Sequence, residues 1–190
     1  MIELSIEFDK DKYKDMIARA VHFNKNVNLA IARAAKRAAE AGRAEAKRQL
    51  SSSTTLPSSD IGKTIEAKPL KEGGQMRIFS SVQDLLDFKG VKRSGADVSV
   101  EILKGKKHIV GNTFIGVVGK TQKNPALYKR DEATGALKRF HGPTTVGMFK
   151  ANENVHEPVI DKIMETLDKR MIHELERILG DSSARANLNG

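Results

Sequence analysis

Two Gly-Lys-Thr triplets, Gly62-Lys63-Thr64 and Gly119-Lys120-Thr121, are the first residues to test for chemistry, because such a triplet ends a phosphate-binding loop. That loop needs another glycine five positions before the glycine of the triplet, so that backbone amides can surround the phosphates. Pro57 and Phe114 occupy those positions. The spacing therefore argues against a nucleotide site at either triplet.

Histidines and carboxylates are the other candidates for catalysis or metal binding. No two of the five histidines are four residues apart, as a pair of zinc ligands on one helix would be. Two acidic pairs carry oxygens that a divalent ion accepts, namely Asp84 with Asp87 and Asp131 with Glu132. Surface and loop positions explain both pairs more simply. Because cysteine is absent, thiol nucleophiles, Cys-type zinc sites and disulfides are excluded. We expect no catalytic residues, no metal site and no cofactor.

The chain is basic, and its charge is unevenly distributed. It holds 33 Lys and Arg against 24 Asp and Glu, a net charge of +9 over 190 residues. Residues 101–150 hold 10 basic and 3 acidic side chains, whereas residues 151–190 hold 5 and 8. This polarity suits contact with DNA phosphates, or head-to-tail contact between identical subunits. A solvated surface that keeps the protein soluble is the third interpretation.

Basic side chains in two segments are the candidate contacts to DNA or to a partner. Five lie on one face of a helical segment and three in a turn: Arg33, Lys36, Arg37, Arg43 and Lys47, then Lys104, Lys106 and Lys107. Glu40 lies within the helical stripe and can pair with its neighbours, whereas the turn has no internal acidic partner. Since no aromatic residue is interleaved with the turn, a nucleic acid would be contacted there through its phosphates.

Two long amphipathic helices are predicted, over Val27–Leu50 and Glu157–Leu179. Their apolar stripes are Val27, Ile31, Ala34, Ala38 and Ala41 in the first, and Ile160, Ile163, Met164, Leu167, Met171, Leu175 and Ile178 in the second. Asn154 is the predicted cap of the second helix, and Gly180 its predicted end. A shorter helix over Lys10–His22 is capped by Asp9, and Asn24 and Asn26 are candidate caps of the helix that follows.

Strand patterns fill the middle of the chain and its first residues. The predicted strands are Met1–Phe8, Gln75–Phe79, Asp97–Ile102, His108–Val110, a buried Thr113–Val118, and the hairpin arms Ala126–Arg130 and Ala136–Phe140. The predicted connecting segments are a polar stretch Ser51–Ser59, a brief helix holding Ile61 and Ile65, a turn at Gly73-Gly74 and a loop at His141–Thr145. Residues 80–95 have an ambiguous pattern, in which Val82, Leu85, Leu86 and Phe88 fit one helical turn and the residues from Lys89 to Gly95 fit an exposed loop. This order predicts an α+β fold: a small, mainly antiparallel β-sheet flanked by two long helices. One domain is expected over residues 1–180, followed by a flexible tail at 181–190.

Three segments resemble the minor tail protein Z family of lambda-like phages and prophages. The first is the Ala- and Arg-rich helix at residues 30–39. The second is Val110–Gly116, followed by a polar hairpin that ends near Lys138-Arg139-Phe140. The third is the passage from Gly142–Phe149 into the last helix. The similarity covers most of the chain from Asn26 to Leu179, although the acidic last helix departs from the more basic family pattern.

The resemblance implies a structural tail completion protein of a tailed bacteriophage, which acts at the head-proximal end of the tail during assembly and head–tail joining. The implied fold is a small antiparallel sheet flanked by helices, and the implied assembly is a homo-oligomeric ring, expected to be hexameric. Its partners would be the tail terminator, tail tube and tape measure proteins and the head–tail connector, with possible contact to the DNA end. No enzyme chemistry, cofactor or membrane is implied. The expected location is the virion tail, after synthesis in the host bacterial cytoplasm, since Met1–Phe8 alternates like a strand rather than a signal peptide.

Two further functions stay open. A sequence-neutral DNA-binding protein would use the basic helix and turn, and a metal-dependent hydrolase rests only on scattered histidines and carboxylates. For assembly, we expect an isolated monomer whose polar stretches at residues 51–59, 88–97 and 120–138 become ordered on docking. Hydrogen exchange on the free protein checks this expectation, because protection equal to that of the two long helices would contradict it.

Overall fold

The computed structural model describes residues 1–6, 9, 11–22, 27–70, 73–94, 97–118 and 124–186. Its α-helices are α1 (Lys14–His22), α2 (Val27–Ser53), α3 (Ser58–Lys63), α4 (Thr145–Lys150) and α5 (Glu153–Ala186). Its strands are β1 (Ile2–Ile6), β2 (Ile65–Leu70), β3 (Gly73–Ile78), β4 (Val82–Asp84), β5 (Lys92–Ser94), β6 (Asp97–Glu101), β7 (Lys107–Val110), β8 (Thr113–Gly116), β9 (Ala126–Arg130), β10 (Leu137–Arg139) and β11 (His141–Thr144). Every pairing between these strands is antiparallel. The predicted α+β class, with small antiparallel sheets and long helices, is confirmed.

The chain divides into two compact units. The first unit holds Met1–Ala46, Ile65–Ile78 and Asn154–Gly190, and the second holds Lys47–Thr64 and Phe79–Glu153. Each unit therefore combines segments that are distant in sequence. One domain over residues 1–180 stays a prediction.

The first unit is built on a three-stranded sheet in the order β1-β3-β2. Ile78 of the central strand pairs with Ile2 on one side and with Ile65 on the other, and both registers run without a break. Met76 and Ile78 are fully buried. Because residues two apart on a strand project from the same face, this face of the sheet forms the core of the unit.

The two long helices approach this sheet and each other through glycines. A Cβ atom on Gly74 would lie 2.4 Å from the carbonyl oxygen of Ala35 in α2. A Cβ atom on Gly42 of α2 would lie 2.5 Å from Cγ1 of Ile163 in α5 and 3.4 Å from Sδ of Met76. The contact at Gly74 is with the backbone, so a larger residue there would require α2 to shift, whereas at Gly42 the Ile163 side chain would have to move. The first unit is thus a small sheet flanked by two long helices.

The apolar stripes predicted for the helices are largely buried. The buried members are Val27, Ile31, Ala34 and Ala38 in α2, and Ile163, Leu167, Met171 and Leu175 in α5. In contrast, Ile160 and Met164 are 49% and 50% exposed. The helical spacing predicts that Ile160 and Met164 lie on the apolar face of α5 that packs on the core. In the structure both lie at the edge of that face.

Several boundaries in the first unit differ from the sequence predictions. Gly73 and Gly74 belong to β3 instead of a turn, because they pair with Leu70 and Pro69 of β2. Ile65 begins β2 instead of extending a helix, since its cross-strand pairing with Ile78 buries it completely.

Both ends of α5 also differ from the prediction. The helix starts at Glu153, so Asn154 lies inside it rather than at its cap, and it continues past Gly180 to Ala186. A glycine inside a helix weakens it by only about 1 kcal/mol, which does not by itself end the helix.

The N-terminal helix prediction is confirmed. Oδ1 of Asp9 accepts hydrogen bonds from the backbone N–H groups of Asp11 at 3.0 Å and Lys12 at 3.3 Å, as a capping side chain does. A 3-10 turn then leads into α1. Residues with predicted roles that lie outside the described part of the chain include Glu7 and Phe8 of the first strand, Lys10 at the predicted start of the helix, and the candidate caps Asn24 and Asn26.

The second unit contains three small sheets, β5-β6-β7, β8-β9-β10 and β4-β11. Both predicted hairpins are present: Glu101 pairs with Lys107 next to the basic turn, and Lys129 pairs with Lys138 in the other. The predicted buried strand Thr113–Val118 ends at Gly116, and Phe114 within it is 38% exposed, although its ring stacks on that of the buried Tyr128 at a centroid distance of 5.9 Å.

Two segments of the second unit that the sequence assigns to loops are regular structure. His141–Thr144 forms strand β11 on β4, and the Thr144 side chain then caps α4 by accepting from the Gly147 N–H at 3.0 Å. The predicted helical turn near Val82 is strand β4 followed by a 3-10 turn, which Asp84 caps. Both differences arise from pairing partners that are remote in sequence.

Candidate contact surface

The basic face of α2 is largely occupied by ion pairs within the first unit. Arg33 lies 3.7 Å from Glu174 of α5, measured between Nη1 and Oε2. Glu40 accepts from Arg37 at 2.9 Å and lies 3.9 Å from Lys36. These exposed pairs contribute little to stability, but they reduce the positive potential that the helix presents. The prediction that Glu40 pairs with its basic neighbours is confirmed.

The remaining predicted members of this face divide between the units. Arg43 lies in the first unit, whereas Lys47 belongs to the second. Lys47 is half-buried, and its methylene groups lie over Gly62, within 3.4 to 3.6 Å of where a Cβ would be. Its stem therefore packs against α3 instead of extending freely from α2.

The basic turn between β6 and β7 is open to solvent. Lys104, Lys106 and Lys107 are all exposed. Among the described residues, the side chains of Lys106 and Lys107 have no hydrogen bond or ion pair, whereas Lys104 Nζ donates to the backbone oxygen of Ser51 at 2.8 Å. Gly105 adopts a left-handed φ of +80°, which glycine accepts most readily, and its N–H donates to Oε1 of Glu101 at 2.8 Å.

The turn is held in place by the segment that follows α2. Thr54 forms an isolated antiparallel bridge with Leu103, and the Thr55 N–H donates to the Ile102 oxygen at 2.9 Å. Lys104 N–H donates to the Ser53 oxygen at 3.0 Å. The prediction of a polar connector at Ser51–Ser59 is therefore wrong in part, because α2 continues to Ser53, α3 begins at Ser58, and the residues between them pair with the end of β6.

A groove of about 610 Å³ lies beside this turn, and no pattern in the sequence predicts it. Val100, Ile102 and Met148 supply apolar surface, while Lys104 and Lys106 contribute cationic side chains. His108 and Asn152 also line the groove. Met148 and Asn152 reach it because α4 follows β11, and the period-two pattern of β6 gives no information about that helix.

The two units differ in net charge more than the two halves of the sequence do. The second unit holds 16 Lys and Arg against 8 Asp and Glu, a net charge of +8. The first unit holds 17 against 16, a net charge of +1. The basic turn therefore lies in the unit that carries nearly all of the excess charge, while most of the candidate residues on α2 do not.

The acidic pairs tested for metal binding have structural roles. Asp84 and Asp87 form a capping box around the 3-10 turn at Leu85–Asp87. Asp131 accepts from the backbone N–H groups of Ala133 and Thr134, and its hydrogen bond with Lys138 holds the pKa of its carboxyl well below the usual range. In the described residues, no three His, Asp or Glu side chains lie close enough to hold a metal ion.

The Gly62-Lys63-Thr64 triplet, which the structure describes, likewise forms no phosphate-binding loop. Lys63 forms an ion pair with Asp60 at 2.6 Å, and Thr64 Oγ1 donates to the Ile61 oxygen at 2.8 Å, so both close the end of α3. The second triplet lies outside the described residues.

Among the helices of the described chain, none is both long and apolar enough to cross a membrane.

Comparison of the chain with protein-family models, with curated proteins and with solved structures found no match.

Proposed function

We propose that this protein is a structural tail completion protein of a tailed bacteriophage, which forms interfaces at the head-proximal end of the tail. The observation that carries the proposal is the order of its elements. An Ala-rich helix, α2, packs tightly on a small antiparallel sheet, and a β-rich middle then leads through the short helix α4 into the long helix α5. This order resembles the minor tail protein Z family.

The division of charge supports a role in which the two units do different work. The charges of the first unit nearly balance, at a net +1, and several of them pair within the unit, as the Arg33–Glu174 and Lys12–Asp168 pairs illustrate. The second unit carries a net charge of +8 and an exposed basic turn. An assembly protein needs a stable body and a surface that steers it to a partner, and unpaired charge at the rim of an interface provides such steering.

The decisive experiment is electron microscopy of particles from a phage whose copy of this sequence is deleted, with and without complementation. We expect the deletion to give tails that fail to join heads, and complementation to restore density at the head-proximal tail end. Intact particles in the absence of the chain would contradict the proposal. Mass analysis of the purified chain should show a monomer, with a ring, expected to be sixfold, only in assembled tails.

Sequence-neutral DNA binding is the second candidate, and the unpaired lysines of the β6–β7 turn favour it. The two functions are compatible, because a protein at the tail end can meet the end of the packaged DNA. Fluorescence anisotropy with a labelled duplex, titrated at several salt concentrations, tests it. Phosphate contacts require affinity to fall steeply as salt rises, so an absence of binding at low salt would eliminate this function.

A further inference from the structure

We propose that the groove beside the β6–β7 turn binds an acidic amphipathic segment of a partner protein. The inference rests on the proposed assembly function for its purpose, and it names the chemistry of the partner. All of the residues that line the groove belong to the second unit and are described. It is therefore a property of one compact unit.

The lining combines an apolar floor with a rim that is only cationic or neutral. Val100 and Met148 are almost fully buried, and they present the floor together with Ile102. Lys104, Lys106 and His108 also line the groove, and no Asp or Glu does. A segment that carries carboxylates beside an apolar side chain complements both parts at once.

The polar side chains beside the floor are available for a partner. The side chains of Lys106 and His108 make no hydrogen bond or ion pair with other described residues, and Lys104 uses only one of its three N–H donors, on the Ser51 oxygen. The C-terminal end of α2 also borders the groove, through Ser52 and Ser53. Its negative dipole would repel carboxylates, but Lys104 offsets it by donating from Nζ and from its backbone N–H to the last carbonyl oxygens.

The floor favours a peptide over a nucleic acid as the occupant. Neither Phe nor Tyr lines the groove, so there is no surface on which a base could stack. A phosphate backbone would contact the lysines but would leave the apolar floor unfilled. The volume of about 610 Å³ accommodates a few side chains of a docked segment.

Fluorescence anisotropy with the full purified chain tests the proposal. The probe is a labelled synthetic peptide of about 14 residues, with Leu and Glu placed at helical spacing, and the control peptide has the same composition in scrambled order. We expect the patterned peptide to bind at least about tenfold more tightly than the scrambled one, because only the former presents leucines and carboxylates on adjoining faces.

Variants then locate the site. Lys104→Glu with Lys106→Glu should weaken binding about tenfold or more, and Ile102→Ser several-fold. Lys89→Glu with Lys92→Glu is the matched control, since these exposed lysines lie in the same unit but do not line the groove. The control makes the same change in net charge and should alter affinity by less than about twofold. Circular dichroism confirms that each variant is folded.

Three outcomes would overturn the inference: equal binding of the two peptides, equal loss in the control variant, or a labelled oligonucleotide that binds at the groove lysines while the patterned peptide does not. The last outcome would assign the turn to phosphate instead. Peptide binding by the purified chain needs no phage, so its failure is distinguishable from the intact particles that would contradict the tail function.

Discussion

The two units of the molecule differ in the contacts that hold their helices and strands together. The first unit places α2 and α5 on a three-stranded sheet, and the backbone of α2 comes so close to Gly74 that no larger residue fits there without a shift. The second unit has three small sheets and short helices around its own buried side chains, such as Phe88 and Leu127. Caps and a backbone bridge, at Asp84, Thr144 and Thr54, fix the ends of its short elements.

This difference explains where a contact surface can lie. In the first unit, the long helices bury most of their apolar faces, and several of the charged side chains form ion pairs, such as Arg33 with Glu174 and Lys12 with Asp168. Small sheets joined by turns expose much of their surface, and the turns display charged side chains without internal partners. The excess charge of the molecule accordingly lies in the unit with the smaller elements.

Substitution of a contact glycine in the first unit should have the largest effect. Gly74→Ala would place a methyl group 2.4 Å from the Ala35 oxygen, and a backbone group cannot move aside without shifting α2. We expect the free energy of unfolding to fall by about 3 kcal/mol, measured by urea denaturation. Gly180→Ala is the control: nothing lies near its Cβ position, so it should be neutral or stabilise α5 by up to about 1 kcal/mol. A Gly74→Ala protein as stable as the parent would refute this view of the packing.

Charge reversal should distinguish the units in DNA binding. The triple variant Lys104→Glu, Lys106→Glu, Lys107→Glu should lower affinity for a labelled duplex at least about tenfold and reduce the salt dependence, because it removes unpaired cations. The triple variant Arg33→Glu, Lys36→Glu, Arg37→Glu makes the same change in net charge on the paired face of α2. A larger loss from the second triple would reverse the assignment of the contact surface to the turn.

Loss of a cap should affect the second unit moderately. Asp84 accepts from the Leu86 N–H at 3.1 Å and forms an ion pair with Arg139. Asp84→Ala removes both and should lower the free energy of unfolding by about 1 kcal/mol. Asp84→Asn keeps a capping oxygen, so thermal denaturation should show a smaller loss. If the two variants are equally destabilised, the ion pair matters more than the cap.

A tyrosine–aspartate contact in the first unit should have the smallest effect. Tyr13 Oη donates to Oδ1 of Asp168 at 2.6 Å, and Lys12 donates to Oδ2 at 2.6 Å. The Lys12 hydrogen bond, followed by that of Tyr13, lowers the pKa of Asp168. Because that carboxyl is 38% exposed, we expect Tyr13→Phe to lower the free energy of unfolding by no more than about 1 kcal/mol.

The pH dependence of this contact has a defined sign. A carboxyl whose pKa is lower in the folded state stabilises the protein above its unfolded pKa of about 4, and loses that contribution as pH falls through the folded value. The stability difference between the parent and Asp168→Asn should therefore be constant near neutral pH and shrink below about pH 4. Urea denaturation at a series of pH values measures it, and a difference that grows in acid would contradict the assignment.

Local patterns predicted the elements whose partners are near in sequence or whose signal is long. Both long helices, the Asp9 cap and both hairpins of the second unit were accessible in this way, because period and capping chemistry act over a few residues. The basic turn was accessible as well, since its lysines lie within four positions of one another. The groove beside it was not, because its floor joins β6 to α4, nearly fifty residues further along the chain.

By itself, the sequence determined the α+β class, the presence of the two hairpins and the excess of positive charge in the middle of the chain. Only the tertiary structure decided that Gly73-Gly74 is strand, that Ser51–Ser53 extends α2 and that His141–Thr144 pairs with β4. The tertiary structure also decided which basic residues form ion pairs. Arg33 pairs with Glu174, which is 141 positions further along the chain, whereas Lys106 has no partner among the described residues. The physical reason is the same in each case. The local preferences of glycine and serine among loop, strand and helix end differ by about 1 kcal/mol or less, and a backbone pairing that satisfies buried polar groups outweighs them. Likewise, the pairing of a charge depends on which side chains the fold brings within reach, and spacing along the sequence does not show this.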